Sequence, residues 1–253
     1  MADGNVGSFQ QYCRQAQHGI VGMIRSIVIL TGAGISAESG VPTFRASDGL
    51  WENHRIDDVA TPQGFFRDPA LVQRFYDERR ANLVKVAPNA AHQALARLDA
   101  AWAGDLLLVT QNVDDLHDRA GSRRLLHMHG ELLSALCTGC GAASRWNGPL
   151  LDKPPCPRCG QARLRPDIVW FGEMPYHMDM IEAAIASCDL FVSIGTSGAV
   201  YPAAGFVELA RQAGADTLEL NLERSAGTTL FAQHRHGPAS QLVPAWVAEV
   251  LGS

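Results

Sequence analysis

Four short apolar runs, each followed at once by a polar or glycine-rich motif, limit the possible folds of this chain more than any other feature. They are Ile27–Leu30 before Thr31-Gly32-Ala33-Gly34, Leu106–Val109 before Thr110-Gln111-Asn112, Leu190–Ile194 before Gly195-Thr196-Ser197, and Thr217–Leu220 before Asn221-Leu222-Glu223. Continuous rather than alternating hydrophobicity over so few residues suits strands covered on both faces, as in a parallel sheet. Helical patterns over Ala90–Ala101, Met178–Ser187 and Ala203–Ala213 lie between the runs. The alternation predicts an α/β fold, a Rossmann-like doubly wound parallel sheet. Ligands in such folds sit beyond the carboxyl ends of the strands. All four motifs lie on that side, so they are expected to form one site.

Two stretches interrupt the alternation. Residues 46–89 separate the first two runs by about twice the length of a simple crossover, and residues 131–169 carry cysteines and prolines with little periodicity. They read as inserts, one helical and one metal-bound, packing together as a small second domain. The sheet domain is then assembled from residues 26–45, 90–130 and 170–250. A length of 253 residues suits one such unit with inserts.

Composition excludes several classes. With 47% hydrophobic and 19% charged residues the chain is not disordered, collagen-like or a coiled coil. Its 21 basic and 26 acidic residues give a net charge of −5, the wrong sign for a domain that lives on nucleic-acid phosphates. No direct nucleic-acid partner is expected. No run approaches the roughly 18 apolar residues of a membrane span, so no membrane partner is expected either. Residues 1–25 lack the apolar core of a secretory signal. A soluble protein with a cytoplasmic location is the expectation.

The spacing Cys137-x2-Cys140-x15-Cys156-x2-Cys159 is that of a zinc ribbon. Each pair bends the chain so that two thiolates reach one tetrahedral ion. Four sulfur ligands leave no open position for water, so one structural zinc ion is expected. Cys13 and Cys188 have no partner pattern.

The segment Gly32-Ala33-Gly34-Ile35-Ser36-Ala37 fits G-x-G-x-x-G/A directly after a predicted strand. Glycines there let the backbone approach a pyrophosphate, whose charge favours the following helix N-terminus. A tight turn before any helix is the plainer alternative. The acidic ribose ligand expected about 20 residues further on is not placed after a second strand. Glu223, ending the fourth run, is the better candidate. The reading is a dinucleotide site with non-standard wiring.

Together these motifs resemble the sirtuins, NAD-dependent protein lysine deacylases. The resemblance rests on Gly32 to Ser36 running on through Ser39-Gly40-Val41-Pro42-Thr43-Phe44-Arg45, on Thr110-Gln111-Asn112-Val113-Asp114, and on His129-Gly130. It continues through the four cysteines, Phe171-Gly172-Glu173, Gly195-Thr196-Ser197 and Asn221-Leu222-Glu223, covering roughly residues 26–250 in the family's order. The bacterial CobB type, within the class that removes acidic acyl groups, is the nearest likeness.

The resemblance implies NAD as a consumed co-substrate and acyl-lysine-bearing proteins as partners. The acyl-lysine carbonyl oxygen would attack the nicotinamide ribose carbon, with nicotinamide leaving. His129 would be the general base on a ribose hydroxyl, and an imidazole titrating near neutrality suits that task. His127 is its rival, and the motif rather than the spacing favours His129. Asn112 would orient the ribose and Asp114 hold the carboxamide, whereas capping of the following helix is their plain alternative. Gly32, Ala33, Gly34, Ile35, Ser36, Gln111 and Val113 would contribute to the cofactor site. Phe44 would shield the nicotinamide, Arg45 contact phosphate, and Trp51 belong to the same cofactor loop. Packing, or a surface charge for Arg45, is the alternative for these three. Gly195, Thr196 and Ser197 would bind the adenosine side, Asn221, Leu222 and Glu223 its ribose, and Ala239 the adenine. Ala239 otherwise reads as a loop residue.

Substrate class hangs on Tyr76-Asp77-Glu78-Arg79. Asp68-Pro69 reads as N-cap and first residue of a helix running to about Val86. Residues 76 and 79 then share one face, where a phenol and a guanidinium can grip a carboxylate. In the family this pair marks enzymes that accept succinyl- or malonyl-lysine. Ala60 resembles the small residue that leaves room for the longer acyl chain. A solvated helix face is the alternative, since Asp77, Glu78 and Arg80 surround the pair. The peptide is expected to add as a strand beside Val169–Glu173.

The activity so implied is removal of succinyl, malonyl and acetyl groups, a transferase chemistry that releases nicotinamide and an O-acyl-ADP-ribose. Mono-ADP-ribosyl transfer or NAD hydrolysis at the same site, a zinc-ribbon module that merely senses NAD, and a hydride-transferring dehydrogenase are the rivals.

Overall fold

The four apolar runs become neighbouring strands of one parallel sheet, and two further strands extend it at its edges. The computed structural model describes residues 24–42, 50–51 and 54–252, Leu50 and Trp51 by backbone alone. Its strands are β1 (Ser26–Thr31), β2 (Leu50–Trp51), β3 (His54–Arg55), β4 (Asp105–Thr110), β5 (Leu125–His127), β6 (Gly130–Cys137), β7 (Ala143–Arg145), β8 (Leu164–Ile168), β9 (Leu190–Ile194), β10 (Asp216–Asn221) and β11 (Gln233–His236). Its helices are α1 (Ile56–Val59), α2 (Pro62–Arg67), α3 (Pro69–Asn82), α4 (Ala90–Ala101), α5 (Leu116–Ala120), α6 (Met178–Ile185), α7 (Phe206–Gln212) and α8 (Ala239–Leu251).

The sheet order is β11-β10-β9-β1-β4-β5. The chain lays down β1, β4 and β5 in one direction, then crosses to the other side of β1 for β9, β10 and β11. This is the doubly wound order, and its direction reverses between β1 and β9. Residue parity explains the strands. Ile27, Ile29, Leu106, Leu108, Val192 and Leu218 pack on one face against Leu95 and Leu98 of α4 and Trp246 of α8. Val28, Leu30, Val109 and Phe191 pack on the other against Ile181 of α6 and Phe206 of α7. Every position of β9 is buried, which is why its run is unbroken.

The pattern located only the interior of this sheet. Strand β5 is too short to show a period, and β11 reads Gln-His-Arg-His because it is an edge strand. Helix α8 contains Pro244, ordinarily a breaker, and begins at Ala239, which is therefore helical rather than looped. Helix α4 has its expected bounds, with an Asn89–His92 capping box at its start. Helix α6 stops at Ile185, short of Ser187, and a 3-10 turn at Ala203–Gly205 precedes α7.

A second layer lies beyond the strand ends. Helices α1–α3 come from the stretch between β1 and β4, and an antiparallel sheet of order β7-β6-β8 carries the cysteine pairs. Helix α3 starts as expected, with the Asp68 carboxylate accepting from Leu71 N at 2.9 Å and Pro69 in the first turn. It ends at Asn82, and a 3-10 turn carries the chain on to Lys85.

Candidate active site

The loops after β1 and β9 cross at the switch point, and they do so backbone to backbone. Gly32 N donates to Ile194 O at 3.0 Å and Gly34 N to Gly195 O at 2.8 Å. A Cβ on Gly34 would lie 2.7 Å from Gly195 Cα, and one on Gly195 would lie 2.5 Å from Ile35 N. The glycines are thus required first by this loop–loop contact, and only then by any pyrophosphate. No α-helix opens after the loop. Two 3-10 turns, Ala33–Ile35 and Ala37–Ser39, take its place, so the expected helix N-terminus is not there to meet a phosphate.

Ser36 is the hub of a buried polar network at this crossing. Its Oγ accepts from Asn112 Nδ2 at 3.1 Å, lies 3.3 Å from His92 Nε2, and bonds the Asp114 carboxylate. Thr31 Oγ1 donates to Thr110 Oγ1 at 2.9 Å and lies 3.1 Å from His117 Nε2. Asn112 therefore does not cap a helix; its side chain reaches across to the first loop. Asp114 does both, since its Oδ1 also accepts from Leu116 N at 3.1 Å at the start of α5. Burial raises the Asp114 pKa above the usual carboxylate range, with the hydrogen bonds from Leu116 and Ser36 opposing it. Burial also lowers His92 to about 4 and His117 well below the ordinary value, so both rings are neutral at pH 7.

The two histidines of His127-Met128-His129 part company. Nδ1 of His129 lies 3.2 Å from Gln111 O, and its Nε2 has no hydrogen-bond partner among the described residues. Burial lowers its pKa, which keeps the ring neutral and able to take a proton. His127 is engaged at both nitrogens, 3.3 Å from Asn112 O and 3.1 Å from Asp118 Oδ2. Gly130, at φ +80°, follows because a Cβ there would lie 2.0 Å from Asp167 O on the paired strand. That pairing continues outward, with Val169 N donating to His129 O at 2.9 Å and Phe171 N to Ala60 O at 3.0 Å.

On the facing wall, Tyr76 is fully buried and Arg79 is 9% exposed. The solvated-face reading of α3 is therefore wrong. The Arg79 guanidinium stacks 3.1 Å from the centroid of Phe75 and donates to Phe75 O at 2.6 Å. Trp170 Nε1 donates to Tyr76 Oη at 3.1 Å, and burial pushes the phenol pKa well up, so Tyr76 stays protonated. Ala60, Tyr76 and Trp170 share one apolar cluster. A cleft runs between the walls, lined by Gly40, Val41, Arg79, Val113, Asp114 and Leu132 among others. Tyr76 is not in that lining.

The ligand atoms of Cys137, Cys140, Cys156 and Cys159 all lie within 4.8 Å of one another. The Cys137–Cys159 and Cys140–Cys156 sulfurs are 3.7 and 3.9 Å apart. Zn–S bonds of about 2.3 Å give a tetrahedron with edges of about 3.8 Å, so the cluster fits a structural zinc ion.

A family model described as the Sir2 family matches residues 32–202. The chain belongs to the Sir2 family. It is 58% identical over 233 residues to the NAD-dependent protein deacylase SIR2rp3 of Leishmania major, covering 90% of this chain and 96% of that protein. It is 57% identical over 228 residues to an NAD-dependent protein deacylase of Pasteurella multocida, covering 89% and 97%. A crystal structure of a Sir2 homologue in complex with NAD superposes with a TM-score of 0.82 at 39% identity, covering 90% of each chain.

In this Sir2 protein the expected residues fall into three groups. Gly32 to Ser36, Gln111 to Asp114, His129 and Gly195 to Ser197 come together at the strand ends. Asn221 joins them through Nδ2, which donates to Thr196 O at 2.7 Å, and Thr196 Oγ1 lies 2.9 Å from Ser193 Oγ. Leu222 and Glu223 follow as an exposed bend, and Ala239 opens α8, where Glu38 accepts from Ser240 N at 2.9 Å. Phe44 and Arg45 lie outside the described residues, as does the side chain of Trp51. Sequence reasoning missed His92, His117, Asp118, Arg165 and Trp170. Only His92 carried a local signal, the Asn-x-x-His capping pattern; the others depend on tertiary packing.

Proposed function

We propose that this Sir2 protein, an NAD-dependent protein deacylase, takes acidic acyl groups, succinyl and malonyl, as well as acetyl, from protein lysines. One observation carries the acidic preference: a nearly buried guanidinium, Arg79, lines the same cleft as Asp114. A guanidinium in a cleft lining offers a planar, charged set of donors that matches a carboxylate, and the distal end of a succinyl or malonyl group is such a carboxylate.

Each residue then has a task. Asn112, held by Ser36, orients the nicotinamide ribose, and Asp114 holds the carboxamide that leaves. The acyl-lysine oxygen bonds to the ribose carbon as the bond to nicotinamide breaks. His129 then takes the proton from a ribose hydroxyl through its uncommitted Nε2 as that hydroxyl oxygen attacks the acyl carbon. The extended backbone at Val169 pairs with the substrate peptide, and Ala60 leaves room for the acyl chain. Arg79 grips its distal carboxylate from the cleft lining, and the protonated Tyr76, buried behind that lining, offers its phenol to the same carboxylate once the acyl chain enters. Gly32, Ala33, Gly34, Ile35, Gln111 and Val113 line the cofactor path with Gly195, Thr196, Ser197, Asn221, Leu222, Glu223 and Ala239 on its adenosine side. By the family resemblance, Phe44 shields the nicotinamide, Arg45 contacts phosphate and Trp51 belongs to the same cofactor loop. Cys137, Cys140, Cys156 and Cys159 hold zinc away from the chemistry. With one water consumed to release the amine, nicotinamide, free lysine and O-acyl-ADP-ribose are the products.

The test is nicotinamide release from NAD with acetyl-, succinyl- and malonyl-lysine versions of a single peptide, run in parallel. The acidic peptides should give the higher kcat/KM. A preference for acetyl-lysine by tenfold or more would overturn the acidic reading.

A further inference from the structure

His127 has no part in the reaction described above, yet both of its ring nitrogens are engaged. It ends β5 with its side chain 10% exposed. One ring nitrogen faces the carbonyl oxygen of Asn112 at 3.3 Å and the other faces Asp118 Oδ2 at 3.1 Å. A backbone carbonyl and an ionised carboxylate can only accept. A neutral imidazole has one N–H and satisfies one of them, while its other nitrogen turns a lone pair toward an oxygen. Only the imidazolium donates to both.

We propose that His127, as an imidazolium, is a positioning residue that holds the Gln111–Asp114 loop by its bond to the Asn112 carbonyl and thereby presents Asn112 and Asp114 to the nicotinamide ribose. The proposal rests on the reading of that loop as part of the NAD site. Four titratable groups face the ring: Asp118 and His117 from α5, Glu131 from β6, and Asp114 from the loop itself. Burial opposes the charge on His127, but Asp118, Glu131 and the Asn112 carbonyl outweigh it and raise its pKa. Burial leaves His129 and His117 with lowered values. His127 is therefore the ring of the group whose charged form its surroundings favour, and that charge also favours ionisation of Asp114.

The sign of the pH effect follows. A raised pKa means the hold is complete below the ordinary histidine value and is lost as pH rises through the raised one. The acid limb of the activity profile then belongs to His129, which must be neutral to take a proton, and the alkaline limb belongs to His127.

Two measurements on the full-length, zinc-loaded protein test this. The first is the pH profile of kcat/KM for NAD with an acetyl-lysine peptide, for the wild type, His127→Gln and Asp118→Asn. His127→Gln should lower kcat/KM for NAD about tenfold at neutrality, leave the peptide KM in place and abolish the alkaline limb. Asp118→Asn, which alters a half-exposed carboxylate, should move that limb to lower pH. The second is NMR titration of the histidine rings, with the His127 signal assigned by its loss in His127→Gln, or by its shift in Asp118→Asn where His127→Gln fails to fold. An alkaline limb unmoved in Asp118→Asn, or a His127 ring neutral from pH 6 upward in an active wild type, overturns the proposal alone. A wild type that releases no nicotinamide overturns the reading of the site and this role with it.

Discussion

The two walls of the cleft are built by different means. The wall at the strand ends is made of backbone: glycines of two loops in contact, closed by short polar side chains around Ser36. The facing wall is made of long side chains anchored on neighbouring elements. Arg80 of α3 donates to Leu132 O at 2.6 Å, and Asp77 accepts from Leu150 N at 2.9 Å and Leu151 N at 3.0 Å, tying the helix to the cysteine-bearing region. Arg165 pairs with both oxygens of Glu173 at 2.8 Å and stacks 3.9 Å over Trp170. Backbone contacts leave little to vary, so that wall suits the part of the reaction every acyl substrate shares. Side chains can be exchanged, so the facing wall is where acyl preference is set.

The largest way to break this contrast is to remove the metal. Binding free energy for a four-thiolate zinc site is about 10 kcal/mol or more, and it is folding free energy. The chain should hold one zinc ion, measured by metal analysis. Stripping it, or making Cys137→Ser, should abolish hydrogen-exchange protection in β6–β8 and weaken it in α3. The parallel sheet, which shares no cysteine ligand, should keep its protection. Equal loss in both regions would show that the two walls are one folding unit.

Arg79→Met asks the chemical form of the question. Truncating one partner of a buried ion pair costs about 2–5 kcal/mol, so desuccinylation should fall by about a hundredfold. Deacetylation should stay within about threefold, because an acetyl group has no carboxylate to strand. Equal losses on both substrates would sink the acyl-pocket assignment.

Gly34→Ala is the counterpart on the backbone wall. Its Cβ would meet Gly195 Cα at 2.7 Å, and forcing such a contact apart costs about 2 kcal/mol. The melting temperature should drop and the KM for NAD should rise, equally for acetyl and succinyl peptides. A loss confined to one acyl substrate would mean that the walls do not divide the work as described.

The same division governs what could be read from the chain in advance. The interior strands announce themselves because burial on both faces needs unbroken apolar runs, and the cysteine ligands because one ion needs paired thiolates at fixed spacing. Strand β11 and helix α8 did not, because an edge strand can be polar and Pro244 can sit inside a helix whose packing outweighs it. In the site, the glycine loop was legible as a motif but not in its cause, since nothing local says that Gly195 will lie against Gly34. Arg79 was legible only as one of two readings. Whether a helix face is solvated is decided by what folds over it, here Trp170 and Leu132, distant in sequence.

Trp170→Phe gives the smallest and most selective of these effects. The substitution keeps an aromatic ring under Arg165 and removes only the indole N–H that reaches Tyr76 Oη. One neutral hydrogen bond is worth about 1 kcal/mol, so the fold should survive with a melting temperature a few degrees lower. The consequence for function comes from direction. With the indole donating to its oxygen, the phenol directs its own proton elsewhere, and burial keeps that proton on. Without the indole, the phenol is freer to rotate, and its aim toward an acyl carboxylate is diluted. Desuccinylation should fall about fivefold with deacetylation unchanged, read as kcat/KM on matched peptides. If both activities hold steady, Tyr76 packs the pocket without gripping the substrate, and the acidic preference rests on Arg79 alone.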